Sequence, residues 1–138
     1  MSYTIDDLQP GMSAEFTKTV SEHDIELFGE VSGDTNPVHF DEAFASTTPF
    51  KGRIAHGVLT ASYISTVLGM QMPGPGTIFL GLNIRFKAPV RIGDTVTAIC
   101  TVRDVIAEKR RVIFDCACKV GGTAVIEGEA TVMPPAKA

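Results

Sequence analysis

The sequence predicts an α+β domain in which a long antiparallel sheet curls around one buried helix. Three observations lead there. Residues 56 to 72, HGVLTASYISTVLGMQM, carry apolar side chains on nearly every side of a helix, so that segment must be enclosed. From residue 77 onward the pattern changes to period-two alternation rich in β-branched residues, the mark of strands. The connections between those strands are short and carry glycine or charge, which makes neighbouring strands antiparallel. An apolar helix followed by such a sheet buries its surface by packing inside it.

Taken in order, the chain opens with an extended segment over residues 12 to 19. SEHDIELFGEVSG then begins with a Ser21/Asp24 capping pattern and sets Ile25 with Phe28, and Leu27 with Val31, at helical spacing. Gly29 stands inside that short amphipathic helix at some cost in propensity. At Asn36-Pro37 a further helix starts, because Asn caps well, Pro suits the first helical position, and the residue before Pro is driven out of the α region. In the apolar helix, Val58, Leu59, Ala61, Ile64, Val67, Leu68 and Met70 point in all directions, yet a span of about 15 residues is shorter than the roughly 18 a membrane crossing needs. The strands are TIFLGLNIRFKAPV, DTVTAICTVRDVIA, RRVIFDCACKV and TAVIEGEATVM, with turns at Gly93-Asp94, at EKRR and at Gly121-Gly122. No repeat, low-complexity tract or linker interrupts this order, so residues 1–138 read as a single domain.

Composition narrows the function. A net charge of -4, with twelve basic residues scattered along the chain, offers no continuous basic face for a nucleic acid. The acidic opening MSYTIDDLQPGM has neither the order of a signal peptide nor the arginines of a transit sequence, and a cytoplasmic protein with no membrane association is expected. Cys100, Cys116 and Cys118 are an odd number and do not suggest a disulfide framework. Cys116 and Cys118 face one side of a strand, but without a second ligand pair they read as small apolar core residues, not as a zinc site.

The segment SGDTNPVHFDEAF, residues 32 to 44, carries the candidate chemistry. The bend at Asn36 separates Asp34 from His39 in the first helical turn, so a carboxylate and an imidazole converge across a fixed corner. On a plain helix residues five apart would diverge. A pair held this way suits general acid-base work on one water or substrate. The alternative is that Asp34 caps a turn and His39 is a satisfied structural histidine. In RIAHGVL, residues 53 to 59, Gly57 places its N–H at the positive end of the apolar helix, a natural donor to a developing oxyanion, or else merely permits a tight approach. His56 reads as structural. A metal on Asp34, His39 and His56 is conceivable by ligand type but lacks a ligand signature, and none is expected.

The segments GDTNPVHFDEAFA, GRIAHGVLTAS and FKAPVRIGDTV, in that order, resemble the (R)-specific enoyl-CoA hydratases of the MaoC-like dehydratase family, over residues 10 to 133. The resemblance implies a hot dog fold, a long curved antiparallel sheet wrapped around one central helix, assembled as a homodimer or a higher homo-oligomer. It implies that Asp34 and His39 are the catalytic pair and that Gly57 supplies the oxyanion N–H. Ser65 corresponds to a family serine near the active-site loop. Ser62 shares its face, and the alternative is that both hydroxyls bond their own helix's carbonyls. Leu68, three residues beyond Ser65, is the expected floor of the acyl pocket, with plain core packing as the alternative. The implied reaction is hydration of a trans-2-enoyl-CoA to the (R)-3-hydroxyacyl-CoA with no cofactor beyond the CoA of the substrate. A hot dog thioesterase and a non-catalytic acyl-CoA binding domain are the competing readings.

Overall fold

The structure, a computed structural model, describes residues 2–137. Strand β1 (Ser13–Thr19) leads into helix α1 (Glu22–Ser32), whose N-cap Ser21 accepts from the Asp24 N–H while the Asp24 carboxylate accepts from the Ser21 N–H. That reciprocal cap starts the helix where the sequence places it. Gly33 ends it in the left-handed conformation at φ 79°. Two short helices follow, α2 (Pro37–Phe40), capped by Asn36, and α3 (Glu42–Ala45), capped by Asp41.

Helix α4 (Gly57–Thr66) runs on as a π-helical turn over Val67–Gln71. Strands β2 (Ile78–Phe86), β3 (Thr95–Ile106), β4 (Arg111–Val120) and β5 (Thr123–Met133) complete one antiparallel sheet. Its order is β1-β3-β4-β5-β2. Consecutive strands β3, β4 and β5 pair through tight turns, with Gly121 and Gly122 both at positive φ in the last hairpin. Strand β2 departs from the expected neighbour pairing: it pairs with β5 and not with β3. The chain after β2 is held instead against the segment that leads into α4, where the Ala55 N–H donates to the Val90 carbonyl at 2.7 Å.

Helix α4 packs on β1, β3 and β4, and the π turn on β1, β2 and β3, so the sheet wraps the helix as expected of a hot dog fold. Ile64, Val67 and Leu68 meet Val96, Val102, Phe114 and Val132 in the core. Burial of the helix is not complete, which corrects the expectation that it is enclosed all round. Val58, Ser62, Ser65 and Met70 are exposed and mark one uncovered stripe. A single sheet reaches only part of a helix's circumference. Cys100, Cys116 and Cys118 are free, buried thiols, and burial together with the neighbouring Cys116 pushes the Cys118 thiol up to about 12.

Candidate active site

Two segments are laid side by side to make the site. One is the corner of residues 34 to 39, the other the stretch 53 to 57 that leads into α4. The Asp34 carboxylate accepts from the Asn36 N–H at 3.2 Å, and the Asn36 side chain accepts from the Val38 N–H at 3.2 Å, so each turn residue sets the next. Four hydrogen bonds then tie the segments together. Arg53 Nε donates to the His39 carbonyl at 2.8 Å and the Ile54 N–H to the Val38 carbonyl at 3.3 Å. His39 Nδ1 bonds the Ile54 carbonyl at 2.8 Å, and His56 Nε2 bonds the Asp34 carbonyl at 2.9 Å. Glu22 of α1 holds the other arm of the Arg53 guanidinium at 2.7 Å.

The corner brings the predicted pair together. Side-chain donor atoms of Asp34, His39 and His56 lie within 4.8 Å of one another. Asp34 is exposed and His39 is buried, so the carboxylate meets solvent above a shielded imidazole. Since the Ile54 carbonyl can only accept, His39 Nδ1 carries a proton and the neutral ring leaves Nε2 as its acceptor. Burial holds the His39 pKa below 6.5, reinforced by repulsion from His56 and opposed by the Ile54 carbonyl and the Asp34 carboxylate. The ring is therefore neutral at physiological pH, with Nε2 free to take a proton.

Gly57 is the first residue of α4, and no side-chain cap competes for the amides of that first turn. It lines an apolar cavity of about 410 Å³ with Ile54, Val58, Phe86, Val90 and Ile126 among its walls. A Cβ on Gly57 would fall 2.7 Å from the Phe86 ring, so only glycine keeps this amide open beneath that aromatic. The cavity does not include Asp34 or His39. It borders them through Ile54, whose carbonyl holds His39, and through Gly57, which follows His56.

The remaining predicted residues lie further along the helix. Ser62 donates to the Leu59 carbonyl at 2.5 Å, the local bond anticipated as its alternative, and Ser65 is exposed on the uncovered stripe. Leu68 is 1% exposed within the core and is not a wall of the cavity. Sequence reasoning missed Ile54, whose contribution is a backbone carbonyl, and Phe86, which reaches Gly57 only through the fold. It also missed the packing of His56 on His39, with ring centroids 3.9 Å apart.

A metal fits this cluster poorly. Tetrahedral ligands at about 2.1 Å from an ion stand only about 3.4 Å apart, and their lone pairs must converge. The His39 and His56 rings face each other at 3.9 Å between centroids with an interplanar angle of 30°, and one nitrogen of each is already bonded to a carbonyl.

Residues 7–120 match the family model described as MaoC like domain. The chain belongs to the MaoC-like family. An "(R)-specific enoyl-CoA hydratase" of Rhodospirillum rubrum is 56% identical to this MaoC-like chain over 132 residues, covering 96% of it and 92% of the relative. A "3-hydroxybutyryl-CoA dehydratase" of Methylorubrum extorquens is 46% identical, covering 96% of this chain and 84% of its own. Among solved structures, an unliganded R-hydratase of Pseudomonas aeruginosa superposes with a TM-score of 0.90 at 42% identity, covering 97% of this chain and 86% of the other. An (R)-hydratase of A. caviae involved in PHA biosynthesis gives 0.89 at 40%, covering 93% and 98%. These MaoC-like relatives share the hot dog fold described above.

Proposed function

We propose that this protein hydrates trans-2-enoyl-CoA to (R)-3-hydroxyacyl-CoA and catalyses the reverse dehydration. The observation that carries the reading is the convergence of the Asp34 carboxylate and the His39 ring beside the open first turn of α4. An enoyl thioester is electrophilic at its β-carbon only because the carbonyl can accept charge, and the Gly57 N–H is placed to stabilise that developing enolate oxygen. Water held between Asp34 and His39 forms its C–O bond to the β-carbon and gives up a proton to the pair. The pair returns a proton to the α-carbon on the same face, so no net proton is consumed. His39 Nε2 is the ring atom available for that exchange. The two groups act on one water, so their titration belongs to the pair. No metal or redox cofactor takes part in this scheme.

The apolar cavity beside Gly57 includes neither Ser65 nor Leu68 among its walls, which favours core packing for Leu68 over a role as acyl floor. The molecule works as a homodimer or a higher homo-oligomer, which is supported by the exposed apolar residues Ile78, Phe79, Leu80, Leu82 and Phe86 on the edge strand β2. Free, buried thiols suit the reducing cytoplasm, and among the described residues no helix is long and apolar enough to cross a membrane. Purified protein with crotonyl-CoA tests the reaction. Loss of enoyl absorbance with formation of the (R)-3-hydroxy product is expected; release of free CoA thiol instead would establish a thioesterase, and no change in either would leave only a binding protein.

A further inference from the structure

Among the buried titratable groups that the catalytic scheme leaves unused, His56 is the one packed against the pair. His56 is 2% exposed and forms the N-cap of α4 without capping it. Its ring lies among three others: His39 at 3.9 Å between centroids, Phe28 at 4.8 Å and Phe40 at 5.6 Å. Nε2 is 2.9 Å from the Asp34 carbonyl, and because that carbonyl only accepts, the proton sits on Nε2. Nδ1 is buried with no hydrogen-bond partner. A histidine kept merely to fill this aromatic box is a poor choice, since a phenylalanine would fill it and leave no unpaired nitrogen. The polar atom that repays this cost is Nε2, and it is spent on the residue that carries the catalytic carboxylate.

We propose that His56 is a positioning residue for the catalytic pair: its Nε2–H holds the backbone of Asp34 while its ring face sets the plane of His39. Both members of the pair then rest on one side chain, rigidly joined to the start of the helix that presents Gly57. The two elements of the pair come from opposite sides of the Asn36 bend; Asn36 bonds both through its backbone, its N–H to the Asp34 carboxylate at 3.2 Å and its carbonyl to the His39 N–H at 3.0 Å, and His56 is a side chain that meets both from the facing segment. The bond to Asp34 runs through its backbone carbonyl, so His56 governs where the carboxylate points without contacting it. A small misplacement at such a site costs on the order of 100-fold in rate, which is the scale against which the effect is read.

This inference rests on the hydratase reading, and a double-mutant cycle in crotonyl-CoA hydration separates the two. If the wild-type protein does not hydrate crotonyl-CoA, the hydratase reading itself fails. With an active wild type, His56→Phe keeps an aromatic ring in the box and removes the donor, and kcat is expected to fall about tenfold or more with KM nearly unchanged. In the Asp34→Asn background, which keeps the carbonyl but disables the pair, the same change is expected to cost less than about threefold. An equal loss in both backgrounds would show a role in the fold alone and overturn the proposal. Should His56→Phe not fold, the comparison of His56→Gln with His56→Met decides. These side chains are similar in volume and only the first donates an N–H, so kcat for Gln well above Met supports positioning, and equal kcat values at equal melting temperature overturn it.

Discussion

At the level of single residues, the Asp34–His39 corner owes its geometry to chemistry that is almost entirely local. Asn36 cannot continue a helix because Pro37 follows it, and its side chain instead caps the turn that carries His39. The imidazole is then fixed from the far side by the Ile54 carbonyl, which leaves one ring nitrogen and one carboxylate for a shared water. Asp34→Asn and His39→Gln are each expected to lower kcat by roughly 100-fold or more with folding intact. The double variant should be scarcely slower than the slower single one, as groups acting in one step are not additive. Near-normal hydration by either single variant would remove that residue from the mechanism.

At the level of elements, α1 and α2 meet at Gly29. A Cβ there would stand 2.6 Å from Phe40 Cζ, and Phe40 in turn packs edge-on against His56. Gly29→Ala would gain up to about 1 kcal/mol in helix propensity. Overpacking typically costs about 1 to 3 kcal/mol, and the Phe40 ring, wedged against His56, has little room to give. The packing term wins, so thermal unfolding is expected at a lower temperature and kcat is expected to fall with it; an unchanged or raised melting temperature would mean Phe40 moves aside freely. Along α4, Leu68→Ala is expected to cost about 2 to 5 kcal/mol, because the side chain is fully enclosed. Because Leu68 is not a wall of the cavity, kcat/KM for octenoyl-CoA relative to crotonyl-CoA should stay unchanged. A raised ratio would instead make Leu68 the floor of an acyl site.

For the whole molecule, two properties emerge from the fold taken together. The His39 pKa lies below 6.5 in the folded protein because the ring is buried. As pH falls below 6.5, the unfolded chain takes up this proton before the folded one does, so folding stability decreases until the folded pKa is passed and is then flat with respect to this group. Urea denaturation at pH 7.5 and 5.5 should show that loss, and His39→Gln should reduce it; equal slopes in both proteins would contradict the assignment. The second property is assembly. Strand β2 is one of the two edges of the sheet, exposed on both faces, and the uncovered stripe of α4 adds Val58, which is 62% exposed. Leaving such an edge in water invites pairing. Sedimentation at micromolar concentration is expected to show at least a dimer, and a fully active monomer would refute it.

Much of this protein was determined by the sequence alone. The Ser21/Asp24 box, the Asn36-Pro37 bend, the Gly121-Gly122 hairpin and the alternation of β3 to β5 all appear where the residues place them, because caps, turns and period-two faces are satisfied within a few residues of chain. The same holds for the closeness of Asp34 and His39, which a single bend produces. Only the tertiary structure decided that β2 crosses to β5, that one stripe of α4 stays uncovered, that Phe86 roofs Gly57 and that His56 stacks beneath the pair. Each of these joins segments far apart in the chain, through backbone carbonyls or ring faces that leave no mark on local pattern. Their selection comes from packing the whole domain at once, where the free energy depends on which distant surfaces exclude water from one another.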